Sequence, residues 1–439
     1  HRDLHSFPTR RSSDLLSACA QVINPVLTLV APTPAAENTS QPDQTGTPAE
    51  QTATPTFEPL PTVTGPQTLT VWVPPQFDPS SGTAAANLLQ ARLDQFMSEN
   101  KGVVVETRVK AASGPGSLLE ALTAASAAAP EALPSIVALS RSDLESAALK
   151  GLIYPLGGLS AEIEDGDWYA YARDLSAVDT SVFGLPFAGN ALLMVYRPQA
   201  TGNQTPATWD EVLAFGQPVI FQVDDAQSLL TLDLYLSQGS TAVNDQGRPA
   251  LELDALTQTL GLYEYGAQRG SFPAWITQYQ TAGQAWQAYQ EKQADWVVTW
   301  SLNYLSAPHE DTLALMVPSM GEKPYALTTG WSWALSDPDP VRRELSLKLA
   351  EYLVQSDFLA AWNPAAGYLP TRPTVLSGWE DQATQSLINQ IVLSAQIRPA
   401  NEILAGVGPI LRDASLAVIK GQSDAATAAQ SAIDRLGTP

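Results

Sequence analysis

The sequence has few cysteines, histidines and basic residues, and each shortage excludes a class of protein. One cysteine in 439 residues cannot form an internal disulfide. Three histidines, two of which are His1 and His5, leave only His309 in the body of the chain and exclude a multi-histidine metal centre. The 23 basic residues face 45 acidic ones, and the net charge of -22 leaves no basic face for nucleic acid or anionic lipid. No apolar run of about 18 residues occurs, so we predict no membrane-spanning helix.

Sequence motifs of catalysis and nucleotide binding are also missing. The chain has no G-x-S-x-G elbow, no P-loop and no dinucleotide fingerprint, and a Ser-His-Asp triad would depend wholly on His309. The string Glu162-Ile163-Glu164-Asp165-Gly166-Asp167, called the acidic loop below, carries carboxylates that a glycoside hydrolase would need. Alternating acids are more typical of a solvated loop or of a loose calcium site. We therefore predict a protein that is not an enzyme and has no cofactor and no metal centre, with bound calcium left open.

The single cysteine, Cys19, closes the string Leu16-Ser17-Ala18-Cys19, which resembles the lipobox of bacterial lipoproteins. Residues 1–15 lack the apolar run of an export signal and resemble the translation of a sequencing adapter. Residues 20–66 are rich in Thr and Pro without hydrophobic periodicity, which predicts a disordered tether. We therefore interpret 1–19 as an artefact plus a truncated lipoprotein signal, with lipidation at Cys19. The expected location is extracytoplasmic, held to the membrane through the lipid anchor alone.

The folded part begins with alternating strands and helices. Strands are predicted at 69–73, 103–109 and 135–139, and an amphipathic helix at 84–99. Two further helices begin at capping boxes, which are Ser117-x-x-Glu120 and Ser142-x-x-Glu145. This βαβαβα order indicates a mostly parallel sheet, whose ligands bind at the carboxyl ends of the strands. The loops at 74–81 and 140–142 are therefore the first places to look for a site.

A second lobe is predicted to begin near residue 182, where the pattern of strands and helices restarts. Thr208 with Glu211 predicts one helix start, and Asp339 followed by Pro340 predicts another. The region from 383 to 436 is predicted to be largely helical. The length of the chain agrees with two such lobes.

Eight segments then make a specific resemblance. They are LTVWV, LDQFMSENKGVVVETRV, LPSIVALSRSDLESAALKGLIYPL, VFGLPFAGNALLMVYR, PATWDEVLAFG, AYQEKQADWVVTWS, TGWSWALS and GYLPTR. Their order and spacing resemble the extracellular solute-binding proteins of ABC importers, the group that includes maltodextrin- and other sugar-binding proteins, over nearly all of 67–439. Two segments depart from the family's pattern, since Pro134-Ser135-Ile136 replaces the usual PDV and Asp295-Trp296 follows Ala294 where small residues are usual.

The resemblance implies an α/β, two-lobe periplasmic-binding-protein fold of the type II kind, with a hinged cleft between the lobes. Lobe 1 would comprise 67–186 and 319–357, and lobe 2 would comprise 187–318 and 358–439. Crossings between the lobes are expected near 184–190, 316–328 and 355–362. A solute would contact both lobes only in the closed form, which the membrane subunits of an ABC permease would recognise. The protein would act as a monomer.

The aromatic residues suggest which solute the cleft would hold. Eleven tryptophans are many, and flat rings stack on the C–H faces of sugars while polar side chains bind the hydroxyls. The predicted ligand-binding residues are Phe77, Asp78, Arg141, Asn190, Trp300, Trp331, Trp333, Trp362 and Tyr368. We therefore predict a mono- or oligosaccharide as the solute. Arg141 would suit a carboxylate or phosphate instead, and a polyamine, a surface adhesin and a glycoside hydrolase remain alternatives.

Overall fold

A nine-stranded mixed sheet organises the described part of the chain. The computed structural model describes residues 66–306 and 311–437. The predictions for residues 1–15, for Cys19, for the tether up to residue 65 and for His309 fall outside these ranges. Within them, no helix is long and apolar enough to cross a bilayer.

The first part of the described chain alternates strands and helices as the sequence predicts. Its elements are β1 (Gln67–Val73), α1 (Ala84–Glu99), β2 (Val103–Val109), α2 (Leu118–Ala128), β3 (Ile136–Ser140), α3 (Arg141–Leu149), α4 (Ala170–Ser176), β4 (Ala177–Val178), β5 (Ser181–Val182) and β6 (Gly184–Tyr196).

The rest of the chain is richer in helix. Its elements are α5 (Trp209–Ala214), β7 (Val219–Ile220), α6 (Leu229–Leu236), α7 (Leu253–Gln268), α8 (Ala282–Gln290), β8 (Trp296–Trp300), α9 (Ser301–Leu305), β9 (Leu313–Met316), β10 (Ala326–Leu335), α10 (Pro340–Tyr352), α11 (Ser356–Ala366), α12 (Gln382–Ser394), β11 (Ala395–Ile397), α13 (Asn401–Ile419) and α14 (Ala425–Leu436).

Polar N-caps begin several helices at the predicted places. Ser117, Thr208 and Asp339 each accept a backbone N–H of the first turn that follows, which satisfies a donor with no partner inside the helix. The predicted helix α3 is present, but its predicted capping box at Ser142 and Glu145 is wrong. Its N-cap is Ser140, whose Oγ accepts the N–H of Asp143. The carboxylate of Glu145 therefore does not cap its own helix. It accepts a hydrogen bond from Asn401 instead.

The sheet has two halves that share the long strands β6 and β10. Its order is β2-β1-β3-β10-β6-β8-β7, with β11 paired to β10 and β9 paired to β6. The amino half of β6 pairs with the carboxyl half of β10, beside β3, and forms the sheet of lobe 1 with β1 and β2. The carboxyl half of β6 pairs with β8 and β9, and the amino half of β10 pairs with β11, in lobe 2. One antiparallel strand pair, β6 and β10, therefore runs through both lobes and joins them.

Two of the expected crossings between the lobes coincide with elements of the structure. The second crossing strand is β10, which begins at Ala326 within the expected 316–328 and runs on to Leu335. Residues 355–362 lie in and just before α11, which packs against α1. Arg92 of α1, 6% exposed, donates to the carbonyl of Tyr352 and to Gln355 and so ties α1 to the turn before α11. After α11, the chain bridges to β6 at Leu369, which pairs with Gly189.

Packing explains one departure from the family's pattern. Trp296, fully buried, stacks on Tyr196 with ring centroids 4.7 Å apart and lies 5.9 Å from the ring of Phe215. A large side chain at this position therefore fills the core of lobe 2, where burying it contributes about 2 kcal/mol.

Candidate functional site

Four side chains project from one face of the sheet where β6 and β10 pass between the lobes. Asn190 pairs with Thr329, Ala188 with Trp331, and Leu192 with Trp300. Directly paired residues of antiparallel strands point to the same side, and residues two apart on one strand do so too. Asn190, Trp300, Thr329 and Trp331, called the floor residues below, therefore share a face, and all four are partly exposed.

The spacing of the two floor tryptophans suits an extended solute. Their partners on β6, Ala188 and Leu192, are four residues apart, which corresponds to about 13 Å along a strand. Trp331 lies on the β10 side of β6, and Trp300 lies on the β8 side. The two rings thus stand at opposite ends of a strip that contains the amide of Asn190 and the hydroxyl of Thr329.

Asn190 is held in place by the first turn of α9. Its Oδ1 accepts hydrogen bonds from Ser301 Oγ at 3.0 Å and from the N–H of Leu302 at 3.1 Å. Ser301 Oγ in turn accepts the N–H of Ala191 at 3.1 Å. The Nδ2 group of Asn190 has no hydrogen-bond partner among the described residues. A fixed amide with two free N–H donors is suited to bind a hydroxyl or carbonyl oxygen.

The opposite face of the strand pair is covered by α4. A Cβ on Gly330 would lie 2.3 Å from the carbonyl oxygen of Ala188, and one on Gly189 would lie 2.3 Å from Tyr171 Oη. Both positions therefore exclude any side chain, because α4 and the neighbouring strand lie too close. Tyr171 Oη donates to the carbonyl of Pro370 at 2.6 Å, which holds the covering helix in place.

Arg141 points to this covered face rather than to the floor residues. Its Nη1 donates to the carbonyls of Leu175 and Ala177 at the end of α4. Burial lowers the pKa of its guanidinium, although Glu145 and Asp174 oppose that shift. The guanidinium therefore satisfies helix-terminal carbonyls, which is a structural task that the sequence did not indicate.

Most of the other predicted aromatic residues meet in one buried cluster beside the floor, on the same face of β10 as Trp331. The cluster comprises Phe77, Phe187, Trp331, Trp333, Trp362 and Tyr368. Phe77 lies at its centre, with its ring centroid 5.2 Å from that of Trp331. Trp333, Trp362 and Tyr368 are at most 3% exposed, so Trp331 alone offers a partly exposed ring. The cluster thus supports the floor by packing.

The carboxylate of Asp78 is engaged in a local turn of the backbone and not in this cluster. Its Oδ1 accepts hydrogen bonds from the backbone N–H and the hydroxyl of Ser80, at 2.8 Å and 2.7 Å. This arrangement is an Asx turn, and such turns stabilise loops locally. Of the nine predicted site residues, the structure brings Asn190, Trp300 and Trp331 to one exposed face. Thr329 was missed, although the Thr-x-Trp alternation on a crossing strand was a usable signal.

The acidic loop surrounds a buried arginine. Arg372, 3% exposed, donates to Asp165 at 2.7 Å and also bonds Glu162, and its guanidinium lies 3.8 Å from the ring centre of Trp168. Backbone N–H donors and Arg372 lower the pKa of Asp165. These carboxylates therefore neutralise a cation of the protein itself. In the described ranges, no group of three or more His, Cys, Asp or Glu side chains is placed to hold a metal ion.

One cavity of the described chain lies away from the floor residues. It measures about 240 Å³, is partly open to solvent, and lies between α4, the acidic loop and the first residues of β6, lined by Trp168, Ala172 and Val182 among others. It belongs to the covered side of lobe 1. The floor residues themselves are partly exposed to solvent.

Comparison with known proteins assigns the family. Residues 91–387 match the model of the family described as bacterial extracellular solute-binding protein. No curated protein matches the chain.

Solved structures share the fold at low sequence identity. The cyclic α-maltosyl-1,6-maltose binding protein of Arthrobacter globiformis is 16% identical, with a TM-score of 0.70 over 85% of this chain and 98% of that one. The sugar-binding protein MalE of Xanthomonas citri is 19% identical, with a TM-score of 0.68 over 84% and 96%. Maltose-bound MalE3 of T. maritima is 17% identical, with a TM-score of 0.65 over 84% and 99%. The predicted two-lobe α/β fold is thus confirmed, and the chain belongs to the bacterial extracellular solute-binding protein family.

Proposed function

We propose that this chain is the extracytoplasmic substrate-binding lipoprotein of an ABC importer and that it binds a mono- or oligosaccharide between its lobes. The observation that carries the proposal is the set of floor residues, two tryptophans flanking an amide and a hydroxyl on the strands that join the lobes. The lobes close over the solute, and the closed form delivers it to the permease unchanged.

The chemistry of the floor favours an uncharged polar solute. None of the four floor residues is ionisable. A phosphate or a polyamine enclosed between the lobes needs an opposite charge beside it, because burying an unpaired charge is costly. Arg141, the predicted anion ligand, is engaged by carbonyls at the end of α4, and the carboxylate of Asp78 is engaged by Ser80. Sugars and sugar alcohols combine the C–H faces and hydroxyls that such a floor suits.

A thermal-shift screen of the full chain tests the solute class. The panel comprises sugars, polyols, amino acids, polyamines and phosphate esters, and a solute that binds only the folded form raises the melting temperature. We expect stabilisation by members of the first two groups only. Stabilisation by a phosphate ester or polyamine alone would contradict the proposal.

Tryptophan variants then locate the site. Trp300→Ala and Trp331→Ala should each weaken binding of the best sugar about tenfold or more, since each removes one stacking surface. Trp275→Ala is the matched control, because Trp275 is 41% exposed and lies against Tyr279 in a short helical segment, Ala274–Gln278, that is not part of the sheet. Calorimetry should give an unchanged affinity for the control. An equal loss of sugar affinity in all three variants would show that the floor residues are not the binding site.

Two further measurements test anchoring and the absence of catalysis. Cys19→Ser should move the chain from the membrane fraction to the soluble fraction in cells that process lipoproteins. A panel of nitrophenyl glycosides should give no turnover above blank. Turnover that is abolished by changing one carboxylate would show that the protein is a glycoside hydrolase and would contradict the proposed binding function.

A further inference from the structure

Helix α13 begins without an N-cap of its own. The residue before it is Ala400, whose side chain offers no hydrogen bond, although its φ and ψ of -55° and 154° suit a capping residue. The N–H of Asn401 donates instead to Oε1 of Glu145, on α3, at 2.8 Å. Glu145 is 5% exposed. A carboxylate of lobe 1 thus caps a 19-residue helix of lobe 2, at the end where the helix dipole favours negative charge.

The side chain of Asn401 strengthens the same contact. Its Nδ2 donates to the carbonyl of Ser142 at 2.9 Å and to Ser146 Oγ at 3.1 Å. Its Oδ1 accepts the hydroxyl of Ser142 at 3.0 Å and a guanidinium N–H of Arg398. The amide's two donors and its acceptor oxygen are therefore all used, and every bond but the one to Arg398 reaches α3.

This contact spans the boundary between the lobes beside the floor. Helix α3 packs on β3 and α2, whereas α13 packs on α6, α7 and α14. On the same edge of β10, Ser140 at the end of β3 pairs with Trp331, and Ile397 at the end of β11 pairs with Thr328. The first turns of α3 and α13 therefore face each other across the short stretch of β10 between those two pairs.

The contact also contains incompletely paired polar atoms. Glu145 Oε2 and Arg141 Nε are buried without a hydrogen-bond partner among the described residues. Arg398, 5% exposed, makes no ion pair within the described part of the chain. Water would solvate these groups if the lobes separated, and this gain offsets part of the loss of the hydrogen bonds. The contact is therefore built to be reversible.

We propose that Glu145 and Asn401 form an interlobe latch that holds the lobes together before a solute is bound. Asn401 is a positioning residue, because it acts on the arrangement of the lobes and touches no floor residue in the structure. The latch controls closure of the lobes, which is a step of the proposed function. In this respect alone the proposal of a latch rests on the proposed function. Because separation removes the cap of α13, opening of the lobes and fraying of the first turn of α13 are coupled.

The test measures lobe separation and helix fraying in the same solute-free protein. Dyes on Gln90→Cys in α1 and Gln430→Cys in α14, in the full chain with Cys19→Ser, report the distance between the lobes by energy transfer. Hydrogen exchange reports protection of the amides at 402–405. Asn401→Ala should raise the ratio of open to closed molecules about tenfold, and it should speed exchange in that turn by a similar factor.

A second substitution separates a latch from a purely local cap. Ala400→Ser gives α13 its own N-cap, so in the Asn401→Ala background it should restore slow exchange while the lobes stay open. Ser117→Ala, which removes a cap within lobe 1, is the matched control and should leave energy transfer unchanged. If the Asn401→Ala variant does not fold, Ser146→Ala takes its place, because it removes only the hydrogen bond from Asn401 Nδ2 to Ser146 Oγ.

Two results would overturn the latch. One is unchanged energy transfer in both Asn401→Ala and Glu145→Gln, and the other is recovery of both signals by Ala400→Ser. Since no solute is present, failure of the sugar screen would leave these measurements interpretable.

Discussion

A buried aspartate beside the second crossing strand makes a quantitative prediction possible. Asp233 on α6 is 1% exposed, and its Oδ1 accepts the N–H of Leu327, the second residue of β10, at 2.8 Å. Burial raises the pKa of Asp233 to about 7, and the bond from Leu327 opposes that shift. Its negative charge in turn contributes to the raised pKa of Tyr263 and Tyr325, although burial is the larger cause. The perturbation we consider is Asp233→Asn, which keeps an acceptor for Leu327 and removes the ionisation.

The sign follows from proton linkage. Between about pH 4 and pH 7 the unfolded chain has lost the proton of Asp233 while the folded chain retains it, so stability falls as pH rises, by about 1.4 kcal/mol per pH unit. The loss begins near the ordinary pKa of 3.8 and ends near the folded value of about 7. Over that window the wild type loses roughly 4 kcal/mol from this one group. The asparagine variant does not lose it.

Urea unfolding at pH 4, 5, 6, 7 and 8 measures the effect. The difference in unfolding free energy between variant and wild type should grow by roughly 4 kcal/mol from pH 4 to pH 8, in favour of the variant. Asp245→Asn, in an exposed turn, is the control for the same substitution at an exposed site. A difference for Asp233→Asn that changes by less than about 1 kcal/mol would mean that burial does not hold this carboxyl protonated, and it would refute the reasoning.

Two further predictions concern packing around the crossing strands and the acidic loop. Gly330→Ala should lower the unfolding free energy by at least about 2 kcal/mol, because its Cβ would meet the carbonyl of Ala188. Gly283→Ala on α8, where a Cβ would lie 3.9 Å from Thr281 Oγ1, should be neutral or slightly stabilising. Arg372→Met should cost about 3 kcal/mol by leaving the acidic loop without its cation, and Arg372→Lys should recover only part of this because it lacks the planar fork. Urea midpoints check both, and an Arg372→Met cost below about 1 kcal/mol would contradict the second.

Local signals were sufficient for the secondary structure and the family. The apolar spacing of 84–99 and the caps at Ser117 and Thr208 matched helices in the structure, because caps and amphipathic faces are properties of adjacent residues. The capping box at Ser142 and Glu145 failed because Ser140 lies closer to the true helix start and Glu145 has a partner far along the chain. The lobe boundaries remain a prediction, and the packing of α11 on α1 favours moving the last one beyond α11.

The candidate site was only partly accessible to sequence reasoning. Every predicted aromatic residue is a plausible sugar platform in the sequence, yet exposure separates them, and Trp333 and Trp362 are buried while Trp300 and Trp331 are partly exposed. Exposure depends on which strands pair and on which helix covers each face of the sheet. Neither can be predicted from residues that are adjacent in the sequence.

What the sequence by itself determined is the kind of protein: an acidic α/β chain of two lobes with the succession of segments typical of extracellular solute-binding proteins. Only the tertiary structure decided which side chains share a face of the crossing strands, that Arg141 and the acidic loop have structural tasks, and that Glu145 reaches Asn401. The reason is physical. Periodicity, capping and composition act over a few residues, whereas hydrogen-bond satisfaction and burial are decided by residues brought together from distant parts of the chain.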